Sequence, residues 1–187
     1  MDFENNTFMN NGSYGMYFHN SAIDVSSCSV SDNGADGMYM HSSGSLIGNC
    51  EIFNNGSSGI YCNGSSYNIT NCQIENNGGW AAKLDNSTLQ NYSGNSGSGN
   101  GYDAFSMYGA TGQDLNFGAA SIGFPIVVNG NLVINNGNTL TFPPGEIIKL
   151  SNGNIQVNKV QFIFMGIPMA IYKTASSKKA FIRRYYL

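Results

Sequence analysis

The chain has 187 residues, a formal net charge of −3, and only 10% charged residues. Lys83 is the only Lys or Arg before residue 149, so the sequence lacks the basic patch with which a nucleic acid would be bound. Hydrophobic residues make up 41% of the chain, which is too many for a disordered segment. With 24 Gly and abundant Asn and Ser, turn formers outnumber helix formers, so the composition predicts an all-β chain of short strands.

Residues 1–92 consist of four units that repeat with a period of 22, which share FMNNGSYGMYF, VSDNGADGMYM, IFNNGSSGIYC and IENNGGWAAKL. Apolar and polar residues alternate over short runs bounded by Asn-Gly steps, which predicts three short strands per unit and excludes helices. One unit is too small to be stable alone, so the repeat predicts a β-solenoid whose coils stack about 4.8 Å apart through parallel strand pairs. The predicted core columns are Phe3, Val25, Ile47 and Ile69; Phe8, Val30, Ile52 and Ile74; Met16, Met38, Ile60 and Ala82; and Phe18, Met40, Cys62 and Leu84.

Three features of the units are shared with a known repeat: the N-G turn, the G-[MI]-Y strand and the N-C-x-[IV] step of GNCEIFNNGSSGIYC. On these features the sequence resembles the right-handed parallel β-helix repeat family of the pectin-lyase-like superfamily. The resemblance implies an all-β, right-handed parallel β-helix, in a superfamily that holds lyases, hydrolases, adhesins and phage spikes. It also implies an asparagine ladder in the tight turn between the second and third sheets. The equivalent column holds Asn5, Ser27, Asn49 and Asn71.

An outward strip of aromatic residues is the candidate ligand site. In GMYFHN (15–20) and GMYMHS (37–42), alternation directs the Met side chains inward and the Tyr and His side chains outward. Aromatic rings on a flat sheet suit stacking against sugar rings, and the resembling enzymes often bind polysaccharides on this outer face. The alternative is that outward aromatic ladders only stabilise the solenoid. The predicted ligand-binding residues are Tyr17, Tyr39, Tyr61, Trp80 and Lys83, with Tyr14 at the edge of the strip.

Catalysis by the same strip has weaker support. His19, His41 and Tyr39 are the candidate acid and base residues, because imidazole and phenol groups lie side by side on one face. However, no Arg lies in the coils, and the acidic residues show no convergent pair of the kind that glycoside hydrolysis requires. We therefore expect a binding strip rather than a catalytic one.

The cysteine column and one acidic turn are the candidate metal ligands. Cys28, Cys50 and Cys72 share a column, which suits small buried hydrophobic side chains better than a tetrahedral metal site. Asp32 and Asp36 share a turn, and we interpret them as solvated turn residues, with weakly bound Ca²⁺ as the alternative. The sequence thus predicts no metal and no cofactor.

After residue 92 the 22-residue period fails. The stretch SGNSGSGNG (93–101) is rich in Gly and Ser, which predicts a loop or linker with a degenerate coil over 93–123. The pattern returns in NGNLVI (129–134) and NGNIQV (152–157), so we predict the start of a further β-helix segment over 124–158. The four regular coils then occupy 1–92.

Residues 159–187 have a different composition, with no Asn, Asp or Glu and six of the eight Lys and Arg residues. One interpretation is a basic element that caps the solenoid. We favour a shift of the reading frame near Lys159, because the frame one nucleotide upstream can encode NLQNCFI, a copy of SLIGNCEI (45–52). Sequencing the gene decides between them.

No targeting or membrane segment is predicted. The first residues, MDFENNTFMNN, lack the apolar stretch of a signal peptide. The longest apolar run, VQFIFMGIPMAIY at 160–172, is shorter than the roughly 20 residues that span a bilayer.

Taken together, these patterns predict a fragment of a secreted or cell-surface β-helix protein, with further coils in a longer parent chain. We expect a non-catalytic scaffold that binds a polysaccharide or another glycan, and no nucleic acid. The alternatives are a polysaccharide lyase or glycoside hydrolase, and a structural adhesin or spacer.

Overall fold

The computed structural model describes residues 2–135, 137–158 and 170–173, with only the backbone described for Ser45 and for 170–173. The chain forms an all-β solenoid of about seven coils, and a coil is one turn of roughly 22 residues. The predicted fold class is therefore confirmed.

Each of the first four coils contributes three strands. The first coil contains β1 (Phe3–Glu4), β2 (Thr7–Met9) and β3 (Met16–His19), and the second contains β4 (Val25–Ser26), β5 (Ser29–Ser31) and β6 (Met38–His41). The third contains β7 (Gly44–Gly48), β8 (Glu51–Phe53) and β9 (Ile60–Asn63), and the fourth contains β10 (Ser66–Thr70), β11 (Gln73–Glu75) and β12 (Trp80–Leu89).

The later coils are less regular. The fifth contains β13 (Tyr92–Ser93) and β14 (Tyr102–Thr111), and the sixth contains β15 (Leu115–Asn116), the short helix α1 (Ala119–Ile122) and β16 (Ile126–Ile134). The seventh contains β17 (Leu140–Thr141), β18 (Ile147–Leu150) and β19 (Asn154–Val157), and β20 (Ala170–Lys173) follows.

Equivalent strands stack into three main parallel sheets. Sheet A has the order β1-β4-β7-β10-β13, and sheet B has the order β2-β5-β8-β11. Sheet C extends through β3-β6-β9-β12-β14-β16-β18-β20, with β19 also paired to β16, and β15 and β17 form a separate pair. Sheet C is the longest continuous surface of the described chain, and its outer face carries the predicted strip.

The predicted apolar columns form the core. Val25, Ile47 and Ile69 are fully buried and pair in register in sheet A. The columns through Ile52 and Met38 are buried in the same way. Because side chains alternate along each strand, the residues between them face solvent.

Residues 93–123, for which the sequence predicted a loop or linker with a degenerate coil, form part of the solenoid. Ser96 bridges in parallel to the fourth coil, and β14 pairs with β12. Gly97 has φ 146°, and a Cβ there would collide with the carbonyl group of Ile74 in the coil below. Glycine in this stretch therefore permits close stacking rather than flexibility. The segment over 124–158 likewise continues sheet C, since β16 pairs with both β14 and β18.

The buried asparagine ladder does not lie in the column that the resemblance implied. Asn5, Ser27, Asn49 and Asn71 are exposed, and they make the turn between sheets A and B with φ values of 51° to 55°. The hydrogen-bonded ladder lies instead between sheets B and C, where each amide donates to the carbonyl oxygen of the next at 2.8 to 2.9 Å. Its members are Asn11, Asn33, Asn55, Asn77 and Asn100.

The frame-shift hypothesis concerns 159–187, most of which lies outside the described residues. Within that range, the backbone of Ala170–Lys173 pairs in parallel with β18. Among the described residues, no helix has the length and apolar character of a membrane span.

Candidate functional site

Sheet C brings the tyrosines of the predicted strip into direct contact. Tyr17, Tyr39, Tyr61 and Lys83 occupy one outward column of β3, β6, β9 and β12. The Tyr17 and Tyr39 rings are nearly parallel, with centroids 5.4 Å apart and an interplanar angle of 3°. Tyr61 is turned by 84° relative to Tyr39, with a centroid distance of 5.0 Å. Tyr14 contacts both Tyr17 and Tyr39.

Stacking within this tyrosine ladder (Tyr17, Tyr39 and Tyr61) limits the ring surfaces that are open to a ligand. The facing sides of Tyr17 and Tyr39 are occupied by each other, whereas Tyr17 itself is 53% exposed. Trp80 lies in the neighbouring column and stacks on Tyr102 at 4.3 Å, and Tyr102 is 58% exposed. The accessible aromatic surface is therefore concentrated at Tyr17 and Tyr102, with ring edges and hydroxyl groups between them.

Tyr61, Lys83 and Asp85 bind one another. The Tyr61 hydroxyl group donates to Asp85 Oδ2 at 3.0 Å, and Lys83 Nζ lies 2.8 Å from the same oxygen and 4.4 Å from the Tyr61 ring centroid. Burial and the Asp85 carboxylate raise the pKa of Tyr61 to about 12. Burial alone would lower the pKa of the Lys83 ammonium group. The hydrogen bond and the negative charge of Asp85 outweigh this effect, so the pKa is raised. At neutral pH the site thus holds a neutral phenol and a paired cation.

His19 and His41 are in contact in the adjacent outward column, with ring centroids 4.9 Å apart and an interplanar angle of 36°. Among the hydrogen bonds of the described residues, none orients either imidazole ring. The catalytic roles of His19, His41 and Tyr39 stay predictions.

A groove crosses the outer surface of coils 4 to 6 where β12, β14 and β16 bend. Its volume is about 610 Å³, within the range of small-molecule sites. Gly109 and Gly130 have φ values of 141° and 146°, and a Cβ on Gly130 would lie 2.6 Å from the Tyr108 ring. The residues that line the groove are Asn86, Ser87, Thr88, Tyr108, Gly109, Ala110, Asn129, Gly130, Asn131 and Val133.

The candidate metal ligands have other partners. The described residues contain no group of three or more His, Cys, Asp or Glu side chains suited to a metal ion. Asp36 is buried and accepts the Ser58 N–H at 2.8 Å, so the expectation of a solvated turn residue is wrong for it. Asp32 is exposed and accepts from Asn54 Nδ2.

The cysteine column is buried, as predicted. The Cys28, Cys50 and Cys72 thiols are free, and each donates to a backbone carbonyl two residues earlier at 3.2 to 3.4 Å. Burial raises the pKa of the Cys28 thiol, which keeps it protonated.

A family described as the right handed beta helix region matches residues 1–122. The chain belongs to this family. No curated protein and no solved structure matches the chain significantly. The match extends past residue 92 into the fifth and sixth coils of the β-helix, in agreement with the continuous stacking of sheet C.

The β-helix brings together most, but not all, of the predicted strip. Tyr17, Tyr39, Tyr61 and Lys83 are contiguous, whereas Trp80 forms a separate pair with Tyr102. The role of these residues in ligand binding stays a prediction.

Sequence reasoning did not assign Tyr102 or the groove to the site. It places Asp85 beyond Lys83 on the same outward face, because the two are two residues apart in a strand, but it does not predict the bond between Asp85 and Tyr61. The groove had no such signal, because it depends on shifts in strand register.

Proposed function

We propose that this β-helix protein is a non-catalytic scaffold that binds a glycan chain on the outer face of sheet C. An extracellular or cell-surface location belongs to the same proposal, by analogy with the secreted β-helix proteins that the sequence resembles. The observation that carries the proposal is the set of outward aromatic side chains on sheet C. It comprises the row of Tyr17, Tyr39 and Tyr61 and the separate pair of Trp80 and Tyr102, and it is exposed at Tyr17 and Tyr102.

The chemistry of these aromatic side chains suits the binding of a glycan better than the catalysis of a reaction. Exposed ring faces at Tyr17 and Tyr102 offer apolar contacts to the C–H face of a sugar, and the phenol groups between them offer hydrogen bonds. Three titratable groups at one end of the row, those of Tyr61, Lys83 and Asp85, are engaged with one another. This mutual pairing favours binding over catalysis.

Substitution of the exposed rings tests the proposal. We expect Tyr17→Ala and Tyr102→Ala each to weaken glycan binding about tenfold, because each removes an accessible aromatic face. Binding is measured first on a glycan array and then by calorimetry with the glycan that the array identifies. Met9→Ala is the control, since Met9 is 48% exposed and lies on sheet B.

Two results would contradict this function. Absence of binding to every glycan favours the spacer or adhesin alternative. Release of products from a uronate polymer, abolished by His41→Ala, establishes the lyase or hydrolase alternative instead.

A further inference from the structure

Two buried polar atoms without partners lie in β12 and β14, close in sequence to residues of the groove. Asp85 is 7% exposed, and among the described residues its Oδ1 atom has no hydrogen-bond partner, although Oδ2 is paired with Tyr61 and Lys83. Ser106 is 0% exposed, and among the described residues its hydroxyl group also has no hydrogen-bond partner. Buried polar groups are nearly always satisfied, so each of these atoms has the capacity for a further hydrogen bond.

The bulge between β12 and β14 connects these atoms to the groove. The register pairs Leu84 with Met107 and then Ser87 with Gly109, so Asp85 and Asn86 together oppose the single residue Tyr108. Asn86 and Tyr108 both line the groove, and Asp85 directly precedes Asn86. Ser106 lies two residues before Tyr108 and therefore faces the same side of β14.

We propose that this groove is a binding site for a neutral, hydroxyl-rich ligand such as an uncharged sugar residue. This inference rests on the proposed function, which it extends from the aromatic strip to a second site. The amide groups of Asn86 and Asn131 each offer a donor and an acceptor, which matches the hydroxyl groups of a sugar. Asn129 adds a donor, while its Oδ1 atom accepts from Asn152 Nδ2. Tyr108 supplies an apolar ring, and the lack of a side chain on Gly109 and Gly130 permits close contact with the Ser87 backbone and the Tyr108 ring, respectively.

The charge distribution favours a neutral ligand over a uronate. None of the described lining residues of the groove carries a charge. Lys83 is neutralised by Asp85, so its ammonium group is not free to pair with a carboxylate. Lys149 is exposed one coil beyond Val127 on the same column, so an acidic oligosaccharide is the necessary comparison.

The experiment removes two lining amides without disturbing the backbone. Asn86 has φ 48°, a value that glycine adopts freely, so Asn86→Gly deletes the amide without strain. Asn131 is exposed, which makes Asn131→Ala similarly mild. The matched control is Asn76→Gly in the same coil, because Asn76 is exposed with φ 52° and lies at the end of sheet B.

Calorimetry of the full chain uses cellotetraose, xylotetraose and mannotetraose as neutral probes and trigalacturonate as the acidic probe. We expect at least one neutral probe to bind, and the Asn86→Gly/Asn131→Ala double variant to weaken it about tenfold through two lost hydrogen bonds. The Asn76→Gly variant should bind like the unaltered chain.

The other outcomes overturn the proposal in distinguishable ways. If Tyr17→Ala weakens a neutral probe and the double variant does not, the groove assignment fails while the strip remains. Preference for trigalacturonate contradicts the neutral ligand class. If none of the probes binds, water alone fills the groove and this inference fails, while the glycan array decides the proposed function separately.

Discussion

At the scale of single residues, Asp103 ends the asparagine ladder by accepting its last hydrogen bond. Every ladder amide donates toward the next coil, so the last one, Asn100, needs an acceptor that does not itself have to donate onward. A carboxylate has this property, and Asp103 Oδ1 accepts from Asn100 Nδ2 at 2.9 Å and from its N–H at 2.8 Å. The second oxygen accepts the Gly99 N–H at 3.1 Å.

These bonds predict a pH dependence of stability. Slight desolvation opposes ionisation, but the hydrogen bonds from Asn100 and Gly99 prevail and lower the pKa of Asp103 below its ordinary value of 3.8. The stabilisation is therefore present above that ordinary value and is lost as pH falls through the lower pKa of the folded state. We expect Asp103→Asn to lower the urea midpoint modestly at pH 6, and the deficit to shrink below pH 3.8.

Urea unfolding of both proteins between pH 6 and pH 2.5 measures this difference. Asp2→Asn is the control for a general effect of charge, because Asp2 is exposed and lies outside the ladder. A deficit that stays constant across this pH range would show that the Asp103 charge contributes nothing.

At the scale of structural elements, glycine columns permit the coils to stack. Gly12, Gly34, Gly56 and Gly78 hold one column of the turn between sheets B and C. A Cβ on Gly34 or Gly56 would lie 2.6 or 2.5 Å from the carbonyl oxygen of the glycine in the preceding coil. A Cβ on Gly12 would meet nothing within 4 Å.

The same substitution should therefore destabilise the fold at one position of this column and have little effect at another. We expect Gly56→Ala to destabilise the fold by about 1–3 kcal/mol or more, because the backbone must separate to accept the methyl group. Gly12→Ala should change stability by about 0.5 kcal/mol or less, as for surface sites without special contacts. Denaturant unfolding gives both values, and equal effects at the two positions would refute the steric explanation.

The columns of residues 1–92 could be predicted because apolar identity repeats in register, and a column of Ile and Val residues has only one place in a solenoid. The columns of the later coils could not be predicted, because single-residue additions break the 22-residue period. Ile69 pairs with Tyr92 and Ala82 with Phe105, each 23 residues apart. A stretch whose glycines permit close stacking then has the same composition as a flexible linker.

The candidate site was only partly predictable for a related reason. Alternation alone turns Tyr17 and Tyr39 outward, as the structure has them. The bond from Tyr61 to Asp85 depends on side-chain rotamers, and the groove depends on the bulge between Leu84 and Ser87. Neither leaves a periodic trace in the sequence.

At the scale of the whole molecule, each coil contacts mainly its neighbours, so stability should be local. In the extended sheet C, a strand bonds only to the strands of adjacent coils. Solenoids of this kind behave as one-dimensional arrays, in which a weakened coil opens without unfolding the distant ones.

Amide hydrogen exchange of an Ile148→Ala variant tests this locality. Ile148 is fully buried in β18 and pairs with Ile126 of β16, so the cavity should cost about 2–5 kcal/mol. We expect faster exchange in β16 and β18 and unchanged exchange in β5 and β8 of the second and third coils. Lys149→Ala is the control, because Lys149 is the exposed neighbour in the same strand. Uniform acceleration in all strands would mean that the described coils unfold as one cooperative unit, and that substitutions near the groove would also disturb the tyrosine ladder.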